Sequence, residues 1–437
     1  MRYIDTSKIT IKKILYSLLI VMIPIICVGG ASFFPYILRL PLIYATAILF
    51  LASFVFSDLK IRLNFPSICF LLLVSYIGIS VFFSIDSKTT INLLLIYLSC
   101  ATLLFLDLPE NITHKIISVI YVICIVIAFS IVISVFIKNC MNTYFWFIVN
   151  PSRSATVTSA INKELAIGSY SGFAREKAEA AYIMNVGIAI SSAKYFSKSK
   201  FEKYQLFFTF VLFAALILTG KRTFFIVPII CFLVLILIAK VKSKAIKFIC
   251  IALIFVFCVF IIMMFFPNMA NIFNRFMDSE NVETIGNRNV IWKYMFLMIS
   301  KYWAFGAGFG SFNEFAYKNG LRVYNEKWEY NAHNSYIQFL GELGVVGTIL
   351  LGLFIISALY ITIQLIRKEE RISRLELLYF SLYIQIMVAV YSVTGNPLYT
   401  KQILFVWLFS IGLVLTVRNC STVNVKKLSV RESYNYG

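Results

Sequence analysis

The chain has 437 residues, of which 60% are hydrophobic and 14% are charged, and its formal net charge is +20 at pH 7. A soluble domain carries roughly 25% charged residues, so this composition excludes an ordinary water-soluble protein and predicts lipid as the main solvent. The basic residues lie in short clusters between apolar runs, which excludes the continuous basic surface of a nucleic-acid-binding domain.

Apolar runs recur along the whole chain, and about twelve of them approach the roughly 20 residues that a helix needs to cross a bilayer. Inside lipid such a segment must be helical, because a helix satisfies its own backbone hydrogen bonds. The sequence therefore predicts an all-α, polytopic membrane protein with a large, partly helical outer loop. The predicted spans, in chain order, are 14–34, 41–57, 65–84, 91–107, 116–137, 178–193, 204–219, 223–239, 246–266, 336–366, 375–393 and 402–417.

The distribution of Lys and Arg predicts how the chain lies in the membrane. With the N-terminus in the cytoplasm, the cytoplasmic segments hold 23 Lys and Arg residues and the short outer loops hold 5. Because positive residues are retained on the cytoplasmic side, we expect both termini there. The chain then divides into transmembrane helices 1–9 (residues 1–266, with an outer loop near 138–177), a large outer loop (267–335), transmembrane helices 10–12 (336–417) and a cytoplasmic tail (418–437).

One stretch of the large outer loop has the spacing of an amphipathic helix. Within residues 289–300, Ile291, Met295 and Met298 fall on one helical face. This pattern predicts either a helix that lies on the membrane surface or an ordinary helix that packs against other parts of the protein. The spacing alone favours neither interpretation.

Three glycines follow this stretch in the string Phe305-Gly-Ala-Gly-Phe-Gly-Ser. Alternating glycines occur in phosphate-binding loops, but such loops follow a strand, and no strand is predicted before Gly306. Glycine adopts backbone conformations that other residues avoid, so the pattern favours a tight turn.

Aromatic residues crowd the outer side of the membrane. Four of the five tryptophans lie there, namely Trp146, Trp292, Trp303 and Trp328. Such side chains would stack on sugar rings, and they also form the aromatic belt at a membrane boundary. Both interpretations fit Trp292, which is a candidate for substrate binding.

The chain has only two histidines, and His333 is the candidate for chemistry. It lies where the large outer loop enters a span, and either Asn331 or Asn334 would cap the helix that follows. The dipole at a helix N-terminus disfavours a charged imidazolium, so a neutral imidazole would accept a proton from a hydroxyl. A polar residue at the membrane interface is the simpler interpretation.

Basic residues that are far apart in sequence map to the same outer boundary. Lys221 and Arg222 occupy a short turn between two spans, and Arg288 precedes the amphipathic stretch. Arg175 opens the sixth span near Glu179. Simpler interpretations are a snorkelling anchor for Arg222, a solvated loop charge for Arg288 and a local ion pair for Arg175. A planar guanidinium group binds phosphate oxygens through two hydrogen bonds, so these arginines would also hold a diphosphate.

A histidine base beside arginines suits attack by a hydroxyl with departure of a phosphorylated leaving group. The charge of a diphosphate needs either a metal ion or arginines to neutralise it. The first outer loop, near 35–40, has no acidic residue, and the pair Asp278 and Glu280 is more typical of a solvated turn than of metal ligands. We therefore expect no metal and no cofactor.

Several short motifs together resemble those of the bacterial O-antigen ligase and polymerase superfamily. Their order, the large loop between the arginine turn and the histidine, and the number of helices are similar to that family. In two places the chain departs from it: Lys221 stands where the family often has Ser, and Tyr302-Trp-Ala stands where it often has Pro. The motifs are Thr219-Gly-Lys-Arg-Thr, Arg288 with Trp292, Gly306-Ala-Gly-Phe-Gly, and His333-Asn-Ser-Tyr followed by Glu342-Leu-Gly and Gly347.

The resemblance implies a metal-independent, inverting glycan transfer on the periplasmic face of the bacterial inner membrane. The donor would be a glycan on undecaprenyl diphosphate, and the acceptor would be a second lipid-linked glycan or lipid A–core. Arg222 and Arg288 would hold the diphosphate, and His333 would activate the acceptor hydroxyl. Further contacts with the substrate are expected from Arg175, Lys221, Asn334, Tyr336 and Trp292.

The main prediction is a polymerase of O-antigen or capsule-type repeat units, for which a chain-length regulator is a further expected partner. The nearest alternative is an O-antigen ligase, because both enzymes need the same donor chemistry. An alternative of another class is a transporter of lipid-linked oligosaccharides. Transporters place charged residues near the membrane midplane, whereas the central portions of these spans have almost none.

Overall fold

A computed structural model describes residues 6–29, 31, 38–57, 63–105, 108–137, 140–149, 168–197, 203–239, 282–321 and 332–435. Within these ranges the chain forms fifteen α-helices and no β-strand, which confirms the all-α prediction for this part of the protein. The helices are α1 (Thr6–Cys27), α2 (Arg39–Ser57), α3 (Phe65–Ser80), α4 (Ser87–Ala101), α5 (Glu110–Phe136), α6 (Cys140–Tyr144), α7 (Trp146–Val149), α8 (Lys177–Phe196), α9 (Lys203–Leu218), α10 (Arg222–Ile238), α11 (Val282–Tyr302), α12 (Phe312–Lys318), α13 (Ser335–Lys368), α14 (Ile372–Tyr391) and α15 (Lys401–Asn435).

The described helices include 6 that are long and apolar enough to cross a membrane, and this supports a polytopic membrane protein. The total of about twelve spans stays a prediction. The predicted span 246–266 lies outside the described residues. The six segments are Phe65–Phe83, Ser87–Phe105, Glu110–Phe136, Ser335–Lys368, Ile372–Tyr391 and Lys401–Cys420, and shorter apolar helices are Lys13–Cys27, Leu40–Ala52, Tyr204–Leu218 and Arg222–Ile238.

Helix α8 lies at the centre of the bundle, where it packs against α5, α9 and α14. Its side chains from Ala180 to Ala193 are all buried, and many of them are Ala, Gly or Ser. At Gly187 a Cβ atom would lie 2.7 Å from Cδ2 of Leu212 and 3.0 Å from Cβ of Cys124. Small residues allow this close approach between helices. The modest hydropathy of α8 therefore reflects contact with protein rather than with lipid.

Helix α13 is interrupted at Gly344, where φ is 64° and ψ is −167°. A positive φ is favourable for glycine and unfavourable for other residues, so the break falls where the sequence allows it. Beyond the break, the Phe354 ring packs against Phe70 of α3 with the ring centroids 4.8 Å apart. The predicted span 336–366 therefore consists of two helical pieces.

The described part of the segment predicted as the large outer loop is mostly helical, in α11 and α12. The face predicted from spacing is buried, since Ile291 is 7% exposed and both Met295 and Met298 are 0% exposed. The two methionine sulfurs approach Gly341 of α13, where a Cβ atom would lie 2.8 Å and 3.5 Å from them. Helix α11 therefore packs on α13 through this face, as the second interpretation predicts, and its place relative to the membrane surface stays a prediction.

Candidate functional site

The segment that enters α13 holds His333 in a left-handed backbone conformation. Its φ is 53°, and it is the only non-glycine residue with a positive φ in the described ranges. This conformation costs on the order of 1 kcal/mol and persists only where the surroundings hold it. Asn334 caps the helix, because its Oδ1 accepts the backbone N–H groups of Tyr336 at 3.0 Å and Ile337 at 3.1 Å. Of the two predicted caps, Asn334 is the one observed.

Trp292 connects α11 to the His333 turn. Its indole Nε1–H donates to the backbone carbonyl of Ala332 at 2.7 Å. Arg288 lies one helical turn before Trp292, so its backbone is close to the same region, while its side chain lies outside the described residues. Trp292 thus has a structural contact, and its contact with substrate stays a prediction.

Loop 392–396, which follows α14, holds the first residue of α13. The Ser335 backbone N–H lies within hydrogen-bond distance of two loop carbonyls, Ser392 at 2.8 Å and Gly395 at 3.1 Å. The Ser335 hydroxyl also donates to the Gly395 carbonyl at 3.2 Å. The position of the His333 turn therefore depends on a loop about sixty residues later in the chain.

The same loop contacts the first turn of α10. Thr394 Oγ1 lies 3.1 Å from Thr223 Oγ1. Arg222 is the first residue of α10, and Lys221 is its N-cap. The loop therefore brings the start of α10, with Arg222, to the end of the bundle that carries His333. We call this end, with the starts of α10 and α13 and loop 392–396, the site end.

Arg175 also lies at the site end, just before α8. The preceding segment is attached to the end of α9, since the Tyr170 backbone N–H donates to the Leu218 carbonyl at 3.0 Å. The Arg175 Nε lies 3.7 Å from Oε2 of Glu179. This is the local ion pair that the sequence favoured, and a contact between Arg175 and a diphosphate stays a prediction.

Tyr336 is half-buried and faces the last two helices. Its hydroxyl donates to the Ala389 carbonyl of α14 at 3.0 Å. Together with Leu398 and Trp407 it lines a narrow cleft between α13, α14 and α15. The aromatic ring therefore packs inside the bundle, and its predicted contact with substrate is untested.

A buried carboxyl group lies two turns into α13. Glu342 is 0% exposed. Its Oε2 accepts the Gly310 backbone N–H at 2.7 Å and the Tyr399 hydroxyl at 2.6 Å. Its Oε1 accepts the Phe312 backbone N–H at 3.2 Å and the Gln338 amide at 3.0 Å. A buried carboxyl is tolerated when its oxygens are hydrogen-bonded in this way.

Tyr399 and Gln338 extend this network on either side of Glu342. Desolvation and the neighbouring Glu342 carboxyl raise the pKa of Tyr399 above its usual range, so the hydroxyl keeps its proton and donates. Gln338 Oε1 accepts the Ala332 backbone N–H at 3.2 Å and also accepts the Asn396 amide. The network therefore joins the His333 turn, loop 392–396 and the glycines that follow α11.

The glycines at 306, 308 and 310 form a tight turn against α13, with φ values of 81°, 98° and 79°. The Gly308 N–H donates to the Glu342 carbonyl at 2.9 Å, and the Gly310 N–H donates to the Glu342 carboxyl. A Cβ atom on Gly306 would lie 2.2 Å from the Glu342 carbonyl oxygen. The three positive φ values confirm the predicted tight turn. The N–H groups of Gly308 and Gly310 are already bonded to Glu342, so the turn does not present them to a phosphate.

Much of this site lies in a stretch that matches a known family. Residues 207–352 match the family model described as O-antigen ligase. We call residues 207–352 the O-antigen ligase domain, after the family model that they match. The match begins in α9 and ends in α13, and it covers about a third of the chain. No curated protein matches the chain.

The O-antigen ligase domain includes Arg222, Arg288 and His333, and the predicted O-antigen ligase/polymerase superfamily is confirmed. Members of this family are glycosyltransferase-like enzymes. The domain also contains Glu342, whereas loop 392–396 lies beyond its end. Parts of the chain outside the O-antigen ligase domain therefore hold its histidine turn in place.

Three residues of this buried network were absent from the predicted site: Gln338, Glu342 and Tyr399. Glu342 carries a signal in the sequence, since it is an acidic residue inside an apolar run, and such residues are costly unless they are partnered. Gln338 and Tyr399 carry no comparable signal, because polar residues of these types are common near helix ends.

Acidic and metal-binding side chains are sparse in the described part of the O-antigen ligase domain. Within the described residues no group of three or more His, Cys, Asp or Glu side chains is arranged to hold a metal ion. Asp278 and Glu280, the pair considered from the sequence, lie outside these residues. A metal-independent reaction stays a prediction.

We expect Gly306→Ala to destabilise the O-antigen ligase domain strongly. The added methyl group would lie 2.2 Å from a backbone oxygen of α13, and φ at this position is 81°. The helix would have to shift, at a cost on the order of 3 kcal/mol. Thermal unfolding of the purified protein in detergent measures the loss.

Gly320→Ala is the matched control, since Gly320 has a φ of 96° but no atom within 4 Å of the position of an added Cβ. This variant keeps the backbone strain and lacks the collision, so it should lose only about 1 kcal/mol. Equal melting temperatures for the two alanine variants would contradict the tight packing of the glycine turn on α13.

Proposed function

We propose that the protein is a membrane glycosyltransferase that polymerises O-antigen or capsule-type repeat units. It would transfer a glycan from undecaprenyl diphosphate to a sugar hydroxyl of another lipid-linked unit. The observation that carries the proposal is the link between two distant segments at the site end: loop 392–396 contacts both Thr223, beside Arg222, and Ser335, beside the His333 turn. The O-antigen ligase domain supports this class of reaction.

His333 would act as the general base. Its imidazole takes the proton of the acceptor hydroxyl while the hydroxyl oxygen attacks the anomeric carbon of the donor sugar. The bond between that carbon and the phosphate oxygen breaks, and its electron pair leaves with undecaprenyl diphosphate. Attack and departure occur on opposite faces of the sugar, so the anomeric configuration inverts. The imidazolium then releases its proton to water.

Arg222 and Arg288 would neutralise the departing diphosphate. A guanidinium group binds phosphate oxygens through two parallel hydrogen bonds and keeps its charge at any physiological pH. Arg222 is also the first residue of α10, where the helix dipole attracts anions. Two arginines would thus take the role of a divalent cation. Further proposed substrate contacts are Arg175, Lys221, Asn334, Tyr336 and Trp292.

We place the protein in the bacterial inner membrane with the site end facing the periplasm. The support is the distribution of Lys and Arg, with 23 in the segments assigned to the cytoplasm and 5 in the short outer loops. The turn at 220–222 and the loop near 394–401 both belong to the outer set, and both lie at the site end. The lipid-linked donor would enter this site from the surrounding membrane.

An O-antigen ligase, which transfers the finished glycan to lipid A–core, is the second candidate. The description of the matched family, O-antigen ligase, favours it. Both enzymes would use the same base and the same leaving group, so His333 and the arginines keep their roles in either. The two functions differ in the acceptor alone.

Deletion of the gene, followed by gel electrophoresis of lipopolysaccharide, distinguishes the candidates. Core with a single repeat unit indicates a polymerase, while bare core with lipid-linked polymer retained indicates a ligase. Expression of the His333→Ala variant in the deletion strain then tests the transporter alternative. Lipid-linked repeats should still reach the outer leaflet without being polymerised, and their failure to reach it would indicate transport. Expression of the wild-type gene is the control.

A further inference from the structure

The backbone beside His333 is held by side chains from two other parts of the fold. Ala332 donates its N–H to Gln338 Oε1 at 3.2 Å, and its carbonyl accepts the Trp292 indole at 2.7 Å. Ala332 is 0% exposed, so water does not replace these bonds. His333 follows Ala332 directly, and its φ of 53° persists only where the surroundings hold it. A shift of the Ala332 backbone would therefore also shift the His333 side chain.

Gln338 accepts the Ala332 N–H only when the oxygen of its amide, and not the NH₂ group, faces Ala332. The two ends of a glutamine amide have almost the same shape, but one accepts hydrogen bonds and the other donates them. At its donor end, Gln338 Nε2 donates to Glu342 Oε1 at 3.0 Å. At its acceptor end, the oxygen accepts from Ala332 and Asn396. The acceptor Glu342 therefore selects the orientation in which the amide oxygen faces Ala332.

Glu342 is itself fixed by groups that do not move with Gln338. The Gly310 and Phe312 backbone N–H groups and the Tyr399 hydroxyl all donate to its two oxygens, at 2.7 Å, 3.2 Å and 2.6 Å. The glycine turn that supplies the first donor has almost no space, since Cβ atoms on Gly306 or Gly308 would collide with their neighbours. The rigid glycine turn therefore fixes the Glu342 carboxyl, which fixes the Gln338 amide beside the histidine turn.

We propose that Glu342 is a positioning residue, which orients His333 through Gln338 and Ala332. This inference rests on the proposed role of His333 as the base. From Glu342, one side chain, Gln338, leads directly to Ala332 beside the histidine. Thr223, beside Arg222, is reached only indirectly, through Asn396 and loop 392–396. Loss of the carboxyl should therefore slow glycan transfer without weakening the binding of the lipid diphosphate.

Glu342→Gln tests this proposal because it keeps the shape of the side chain and turns one acceptor oxygen into a donor. We expect transfer per folded molecule to fall about tenfold, since small errors in the geometry of a base are costly. The affinity for undecaprenyl diphosphate, measured with the purified protein in lipid nanodiscs, should stay within about twofold of the wild type. An equal loss of binding and transfer would overturn the positioning role.

A double-mutant cycle that combines Glu342→Gln with His333→Ala separates an effect on His333 from a general disturbance of the fold. If Glu342 acts through His333, the double variant transfers glycan at the same rate as His333→Ala alone. A further tenfold loss in the double variant would show an independent role and overturn the proposal. Full activity of the His333→Ala variant would instead refute the proposed function. If His333→Ala is inactive while Glu342→Gln is fully active, only the positioning role is refuted.

Gln338→Met provides a second test that does not alter the buried carboxyl. The methionine keeps the length of the side chain and removes the acceptor for Ala332, so the same selective loss of transfer is expected. This variant decides the question if Glu342→Gln does not fold. Gln205→Met is the matched control, because Gln205 is a buried glutamine at the opposite end of the bundle and should leave transfer per folded molecule unchanged. Unchanged transfer in Gln338→Met would overturn the proposal.

Discussion

Replacing His333 by Ala is expected to lower glycan transfer by about 10²–10⁴-fold, because a positioned general base contributes that much. The side chain is half-buried and does not belong to the apolar core, so the folded protein should persist. The transfer rate is measured with purified protein and lipid-linked repeat units, and thermal unfolding reports the stability of the same samples. The affinity for undecaprenyl diphosphate should stay near that of the wild type.

One further variant separates the imidazole from the backbone at position 333, and a second serves as a control at the other histidine. His333→Asn lacks a base but tolerates the left-handed φ of 53°, so it should fold well and remain inactive. His114→Ala removes the other histidine, near the start of α5 at the opposite end of the bundle, and should keep its activity per folded molecule. Polymer formation at normal rates by either His333 variant would exclude the catalytic role of His333.

Arg222→Lys is expected to lower transfer by about a hundredfold, although the positive charge remains. A lysine offers a point charge in place of the planar fork that binds two phosphate oxygens, so the departing diphosphate is stabilised less. Unlike the histidine variants, this one should also weaken the binding of undecaprenyl diphosphate. Arg288→Lys on α11 should show the same combination of losses.

Arg374→Lys is the matched control for the arginine variants. Arg374 lies at the opposite end of the bundle, where its guanidinium is 3.6 Å from Glu110 and 3.6 Å from Glu369. This substitution makes the same chemical change in an arginine that lies away from the site end, and transfer should be unaffected. Full activity in both Arg222→Lys and Arg288→Lys would remove the assignment of the diphosphate site.

The sequence by itself determined three features: the apolar spanning helices of the described residues, the buried face of α11 and the cap of α13. Apolar runs predicted the spanning helices, the spacing of Ile291, Met295 and Met298 predicted the buried face of α11, and Asn334 was one of two predicted caps. These features depend on residues within one or two turns of one another, so they can be recognised without knowledge of the fold. The order of the short motifs likewise predicted the superfamily that residues 207–352 confirm.

The tertiary structure alone decided which distant residues meet. Glu342 bonds Gly310 and Tyr399, which are 32 and 57 residues away, and Thr394 reaches Thr223 across 171 residues. No local pattern encodes such pairs, because they arise from the order in which the helices pack, and that order is set by many small contacts along whole helices. For the same physical reason, only the packed bundle shows that the buried Glu342 is connected to the histidine turn through Gln338.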